Sequence, residues 1–144
     1  RLSDIHCALG ISQMNRIETI LKKRQENAHH YNEILEKIDG IIEPKANYDK
    51  NRSWFVYVVR LKENLNRAKI MQFMKSNGIA TQVYFPSIHL QPIYRKHFGY
   101  KEGQFPISEK VSNSTIALPF YTSMEEGVIE KVCDTLNLAM KNEG

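Results

Sequence analysis

The chain has 144 residues, enough for one domain with a hydrophobic core of its own. Apolar residues make up 42% and charged residues 25%, as in an ordinary soluble globular protein, and no apolar run approaches the ~20 residues that a membrane-spanning helix needs. The net charge of +4 is modest, and its basic residues are interleaved with acids, which argues against a nucleic-acid-binding module.

The first residues lack the basic-then-apolar pattern of a signal peptide. The chain opens at Arg1 rather than Met, and Ser3 can cap a helix almost at once, so a cut through a longer protein is expected. Ile5, Ala8, Leu9 and Ile11 form the apolar stripe of a short first helix, with Asp4 favourable in its first turn. A long helix over Met14 to Lys37 follows. Its apolar positions Ile17, Ile20, Leu21, Ala28, Tyr31, Ile34 and Leu35 recur with the 3.6-residue helical period. Glu18 with Lys22, and Glu33 with Lys37, have the spacing of helix-stabilising ion pairs. Gly40 suits a left-handed cap.

Ile41 to Glu43 predicts a short strand, and Ala46 to Asn51 a polar loop. Ser53 to Leu61 is rich in aromatic and β-branched residues and predicts a central strand covered on both faces. Asn66 to Asn77 predicts a helix that turns Ile70, Phe73 and Met74 inward, and Ile79 to Phe85 another strand ended by Pro86. Pro106 to Asn113 predicts a helix with proline in its first turn, then a short strand at Thr115 to Leu118. Ser123 and Glu126 form a capping box for a last helix running to Lys141, with Ile129, Val132, Cys133, Leu136 and Met140 buried. The fold class is α+β: a small, mainly antiparallel sheet flanked by helices. One domain over residues 1–144 is expected, residues 1–38 being linking helices and 39–144 the small domain proper.

The two cysteines, Cys7 and Cys133, fall at helical apolar positions and read as free buried thiols. No Cys or His pair has metal-ligand spacing, and the adjacent His29 and His30 point about 100° apart on a helix. Neither a glycine-rich phosphate loop nor a Gly-x-Ser-x-Gly elbow occurs, and no acid–base carboxylate pair stands out. The candidate binding residues are Arg1, Tyr84, His89 and Tyr94. An arginine can grip a phosphate with parallel hydrogen bonds, and a histidine with tyrosine hydroxyls can read sugar hydroxyls. The stretch from Ser87 to Phe105, where rings and imidazoles crowd a loop with a short helical turn, is the natural place for a site.

Three blocks carry a resemblance to a known family. Arg1-Leu2-Ser3-Asp4-Ile5-His6-Cys7-Ala8-Leu9-Gly10-Ile11-Ser12-Gln13 resembles the Arg-hydrophobic-Ser/Thr-Asp-Ile-x-Ala-Ala-Leu-Gly-x-x-Gln signature of the DegT/StrS sugar aminotransferases. Tyr84-Phe85-Pro86-Ser87-Ile88-His89-Leu90-Gln91-Pro92-Ile93-Tyr94 resembles that family's Tyr-x-Pro-x-His-x-Gln-Pro-x-Tyr block. The run from Phe105-Pro106 through Leu118-Pro119-Phe120-Tyr121 and the last helix resembles its C-terminal part.

The resemblance implies the C-terminal small domain of a fold-type I aminotransferase. The full-length enzyme would use pyridoxal 5'-phosphate to move an amino group, usually from glutamate, onto a nucleotide-linked keto-sugar. It implies that the Schiff-base lysine lies upstream, so that no catalytic residue is assigned here and this piece is inactive and binds no cofactor alone. An asparagine two residues before the matching arginine, which helps bind the cofactor phosphate in the family, would also lie outside this chain. His89, with Tyr84, Tyr94 and Arg1, would line the nucleotide-sugar pocket and orient the keto carbon. The partners implied are the nucleotide sugar, an amino-acid donor and, for the full-length enzyme, a second copy in a cytoplasmic homodimer, with no nucleic acid and no membrane. A dehydratase of the same fold is an alternative, and a DNA-binding regulatory module a more distant one.

Overall fold

The computed structural model describes residues 1–44 and 52–143. Helices α1 (Asp4–Met14) and α2 (Ile17–Leu35) lead into strand β1 (Ile41–Ile42) and strand β2 (Tyr57–Leu61). Helix α3 (Arg67–Ser76), a single 3-10 turn (Ile88–Leu90), helix α4 (Pro92–Phe98) and helix α5 (Pro106–Ser114) follow, then strand β3 (Thr115–Leu118) and helix α6 (Glu126–Lys141). The three strands form one antiparallel sheet in the order β1-β2-β3, with Ile41 opposite Leu61 and Tyr57 opposite Leu118. The α+β expectation and the antiparallel sheet are therefore met.

The core forms where α2 and α3 pack on α6 and the helices close over the sheet. Helix α6 carries the strongest stripe: Ile129, Val132, Cys133, Leu136, Ala139 and Met140 are all buried. From α2 come Ala28, Tyr31 and Leu35, and from α3 Ile70 and Met74, with Phe73 packed at the margin. Tyr57 of the central strand stacks between Tyr31, at 4.5 Å, and Trp54, at 5.6 Å. Buried tyrosine hydroxyls need partners. Tyr57 donates to Asn32 Oδ1 at 2.5 Å, and Tyr31 donates to the Pro119 carbonyl at 2.8 Å. Burial pushes both phenols well above their ordinary range. It pushes the Cys133 thiol up to about 12, so that side chain is an inert core residue.

Several local expectations change. The first two helices are separate, as expected, but Met14 ends α1 instead of opening α2, which runs from Ile17, and α1 buries nothing: Ile5, Leu9 and Ile11 are exposed. Cys7 is accordingly an exposed thiol. Lys22 pairs with Glu26 rather than Glu18, and Glu33 faces His29 and His30. The predicted Ala46 to Asn51 loop lies outside the described residues. The central strand starts at Tyr57 rather than Ser53, because Trp54 takes a left-handed backbone (φ 45). Its second face is half open, with Val58 partly buried and Arg60 exposed. Gly40 does adopt the left-handed conformation, at φ 96.

Ile79 to Phe85 reduces to a single bridge between Gln82 and Ala117. The carbonyls that would extend it are spent otherwise: Tyr84 accepts from the Thr115 hydroxyl and Phe85 from the Ser112 hydroxyl. Ser123 does not cap α6. A turn from Tyr121 to Met124 precedes the helix, its N-cap is Glu125, and no side chain caps it.

This core predicts an uneven response to truncation along α6. Leu136→Ala, at a fully buried position, lowers the unfolding free energy by about 2–5 kcal/mol. Leu138→Ala, at a position 55% exposed, changes it by less than about 0.5 kcal/mol. Urea denaturation of the two variants checks the contrast.

Candidate binding cleft

The segment between the Gln82 bridge and α5 is held at its ends and free at its crest. Ser112 Oγ donates to Phe85 O at 2.7 Å, fixing the start of the segment to α5. Arg67 Nη1 donates to Ser112 O at 2.5 Å and so satisfies a carbonyl at the end of α5. Beyond Pro86 the chain makes the 3-10 turn that carries His89, then α4, which begins at Pro92 and ends at the left-handed Gly99. Ile88, His89, Tyr94, Tyr100, Phe105 and Ser108 enclose an open cleft of about 370 Å³.

The His89 ring is buried and makes edge contacts with Phe105 at 4.8 Å and Tyr100 at 6.2 Å. Its Nε2 lies 2.9 Å from Glu109 Oε1. Glu109 sits in the first turn of α5, where the helix dipole favours a negative charge, and is itself buried. Gly103 N–H donates to both of its oxygens, at 2.9 and 3.0 Å, and Phe105 N–H donates at 3.2 Å. Glu109 is the fourth helical residue, one beyond the capping-box position, and its carboxylate reaches back to accept from the N–H of the N-cap residue Phe105. Gly103 stands at φ 87, a backbone that residues with a Cβ rarely adopt, and this turn aims its N–H at the carboxylate. Gly103 above all, then Phe105 and His89, hold the Glu109 carboxyl below the usual carboxylate range, against the opposing effect of burial.

Of the four residues singled out from the sequence, the structure brings two together: His89 and Tyr94 line the same cleft. Tyr94 is 38% exposed, with its ring stacked on Phe98 at 6.1 Å. Tyr84 stands outside the lining, its ring against Phe85 at 4.4 Å and near Phe55 at 6.4 Å. Arg1 is exposed ahead of α1, also outside the lining. Glu109 is the residue that sequence reasoning missed. Glu109 lacks the capping-box spacing, so the sequence carries no signal that this acid folds back on the loop.

The described residues do not make a pyridoxal phosphate site. Every described lysine is exposed, whereas a Schiff-base lysine needs desolvation or a cationic neighbour. No arginine or lysine lines the cleft to hold a phosphate. Among the described residues, no cluster of three or more His, Cys, Asp or Glu could hold a metal ion, and no helix is long and apolar enough to cross a membrane.

The sequence profile of the DegT/DnrJ/EryC1/StrS aminotransferase family matches residues 1–137. The chain belongs to that family. Among curated relatives, the spore coat polysaccharide biosynthesis protein SpsC of Bacillus subtilis is 32% identical over 96% of this chain and 36% of its own length. The UDP-4-amino-4-deoxy-L-arabinose--oxoglutarate aminotransferase of Shewanella sediminis is 27% identical over 99% of this chain and 39% of its own. The chain thus spans little more than a third of these relatives. Helicobacter pylori PseC, an aminotransferase involved in pseudoaminic acid biosynthesis, superposes with a TM-score of 0.89 at 19% identity, over 99% of this chain and 38% of PseC. That likeness shows the fold: the small-domain portion of a fold-type I aminotransferase.

The Glu109 hydrogen bonds have a pH signature. A carboxyl whose folded value is lowered contributes stability above its unfolded value, about pH 4.3, and loses that contribution as pH falls toward its folded value. Wild-type protein therefore shows an acid limb in its urea midpoint below about pH 4.3, and Glu109→Gln flattens that limb while being less stable at pH 7.

Proposed function

We propose that this chain is the C-terminal domain of a pyridoxal-phosphate-dependent aminotransferase that moves an amino group from glutamate to a nucleotide-linked keto-sugar. In this reading the cleft of His89 and Tyr94 receives the sugar. The observation that carries it is that both residues line one cleft, within the block that resembles the family's Tyr-x-Pro-x-His-x-Gln-Pro-x-Tyr segment. The other lining residues, Ile88, Tyr100, Phe105 and Ser108, make the cleft mostly apolar with few polar groups, as small-molecule sites generally are. The names of relatives support the substrate class: one is an aminotransferase acting between a UDP-linked amino sugar and oxoglutarate, another a spore coat polysaccharide biosynthesis protein.

Amino-transfer chemistry belongs to the cofactor, and this chain's part is to hold and orient the substrate. Tyr94 offers a hydroxyl and a ring face at the rim, and His89 a ring nitrogen from the wall. The Schiff-base lysine is proposed to lie in the part of the protein outside this chain. The same part is proposed to cover Leu2, Ile5, Leu9, Ile11 and Met14, apolar residues exposed along α1 and its approach. A cytoplasmic homodimer of the full-length protein belongs to the same proposal.

The test uses the full-length protein with pyridoxal phosphate, glutamate and a nucleoside-diphosphate-linked keto-sugar. Wild type releases one 2-oxoglutarate per keto-sugar consumed. His89→Ala lowers kcat/KM for the keto-sugar about 10²-fold, the cost of a misplaced substrate, while glutamate alone still converts the cofactor at an unchanged rate. Wild type forming no 2-oxoglutarate with any such sugar would overturn the activity, and an unchanged keto-sugar kcat/KM in His89→Ala would remove the cleft from it.

A further inference from the structure

We infer that Glu109 is a positioning residue: it fixes the proton of His89 on Nε2, leaving Nδ1 as a hydrogen-bond acceptor for the cleft, which therefore takes a donor such as a sugar hydroxyl there rather than a phosphate. The donor preference rests on the reading of the cleft as a sugar pocket; the tautomer does not.

Hydrogen-bond accounting around the carboxylate fixes the proton. An ionised carboxylate offers only acceptors. Gly103 N–H and Phe105 N–H already donate to Glu109, and Nε2 approaches the same carboxylate at 2.9 Å. Nε2 can stand there only as a donor. A neutral imidazole has one N–H, so when the ring is neutral its second nitrogen, Nδ1, carries a lone pair. A ring flip would exchange Nε2 for the Cε1 carbon and lose the hydrogen bond to the carboxylate, and the rings of Phe105 and Tyr100 flank the imidazole edge-on, at 64° and 89°. Both partners are shielded: the side chains of His89 and Glu109 are 10% and 11% exposed. A charge-assisted bond in such a setting is stronger than its exposed counterpart.

The same geometry sets the chemistry of the ligand. The cleft lining brings no lysine or arginine, and the carboxylate behind His89 is negative. A phosphate placed at Nδ1 would meet a lone pair with a buried anion behind it. A hydroxyl or amine would find there the lone pair that the Nε2–H tautomer leaves on Nδ1. Glu109 is not free to act as acid or base on a ligand, since His89 and two backbone N–H groups already occupy it.

Two-bond ¹H–¹⁵N spectra of ¹⁵N-histidine-labelled chain at about pH 8.5, above the ordinary imidazole range, report the tautomer directly. The His89 signal is assigned by its loss in His89→Gln. The wild-type ring is expected as the Nε2–H form alone. Glu109→Gln, whose amide can either accept or donate, is expected to show both forms. An Nδ1–H wild-type ring, or an unchanged tautomer in Glu109→Gln, would overturn the inference. In the full-length protein, a nucleoside-diphosphate sugar is expected to move the Nδ1 resonance and inorganic pyrophosphate to leave it in place. A shift with pyrophosphate of equal size would overturn the donor preference. An Nε2–H ring whose Nδ1 signal no nucleotide sugar moves would refute the sugar pocket and uphold the Glu109 anchor. Glu109→Gln is further expected to lower kcat/KM for the keto-sugar about tenfold with the glutamate half-reaction unchanged; equal losses in both would mean a general structural role and overturn positioning.

Discussion

One buried carboxylate sets the shape of the cleft. Without Glu109, the turn at Gly103, the start of α5 and the 3-10 turn of His89 would each present an N–H group with nothing in the fold to accept it. The acid gathers three strands of argument in one place: it caps a helix, closes a loop and orients an imidazole. A buried charge is tolerable here because several N–H groups surround it, and for the same reason removing it leaves several unsatisfied donors at once.

That local arrangement depends on a frame built some distance away. Helix α5 runs directly into β3, and β3 is held in register against β2 by a full run of antiparallel pairs from Tyr57 with Leu118 to Arg60 with Thr115. Behind β2, the stacked rings of Tyr31, Tyr57 and Trp54 fix how the sheet meets α2. The cleft is thus a segment dense in rings, placed by the regular elements at its two ends. Helix α1 buries none of its own residues, and Ile5, Leu9, Ile11 and Met14 face outward along it.

What could be seen in the sequence followed the periodicity of burial. The stripe of α6 and the inward face of α3 were legible because each buried position is set by the helical period alone. The antiparallel sheet was legible because β2 is dense in β-branched and aromatic residues. The edge beside β3 was not: Ile79 to Phe85 has strand composition, yet side-chain hydroxyls of Ser112 and Thr115 take the carbonyls a ladder would need. Ser123 looked like a cap because the tetrapeptide fits one, yet a turn from Tyr121 to the buried Met124 precedes the helix, whose N-cap is Glu125. His89 and Tyr94 were visible through their motif. Glu109 was hidden because a lone acid in a helix looks the same whether it faces water or a folded-back loop.

The account joins a family membership that the sequence profile establishes to a cleft that the geometry defines. Its central claim is that the sugar of a nucleotide-linked substrate sits against His89, with Glu109 behind the ring. The most direct measurement is a crystal structure of the full-length protein with a nucleotide-linked amino sugar bound. The account predicts a sugar hydroxyl or amine within hydrogen-bond distance of His89 Nδ1, with the Glu109 bond to Nε2 intact. A sugar bound elsewhere, with this cleft closed by its own Tyr94 and Phe105 rings, would contradict it.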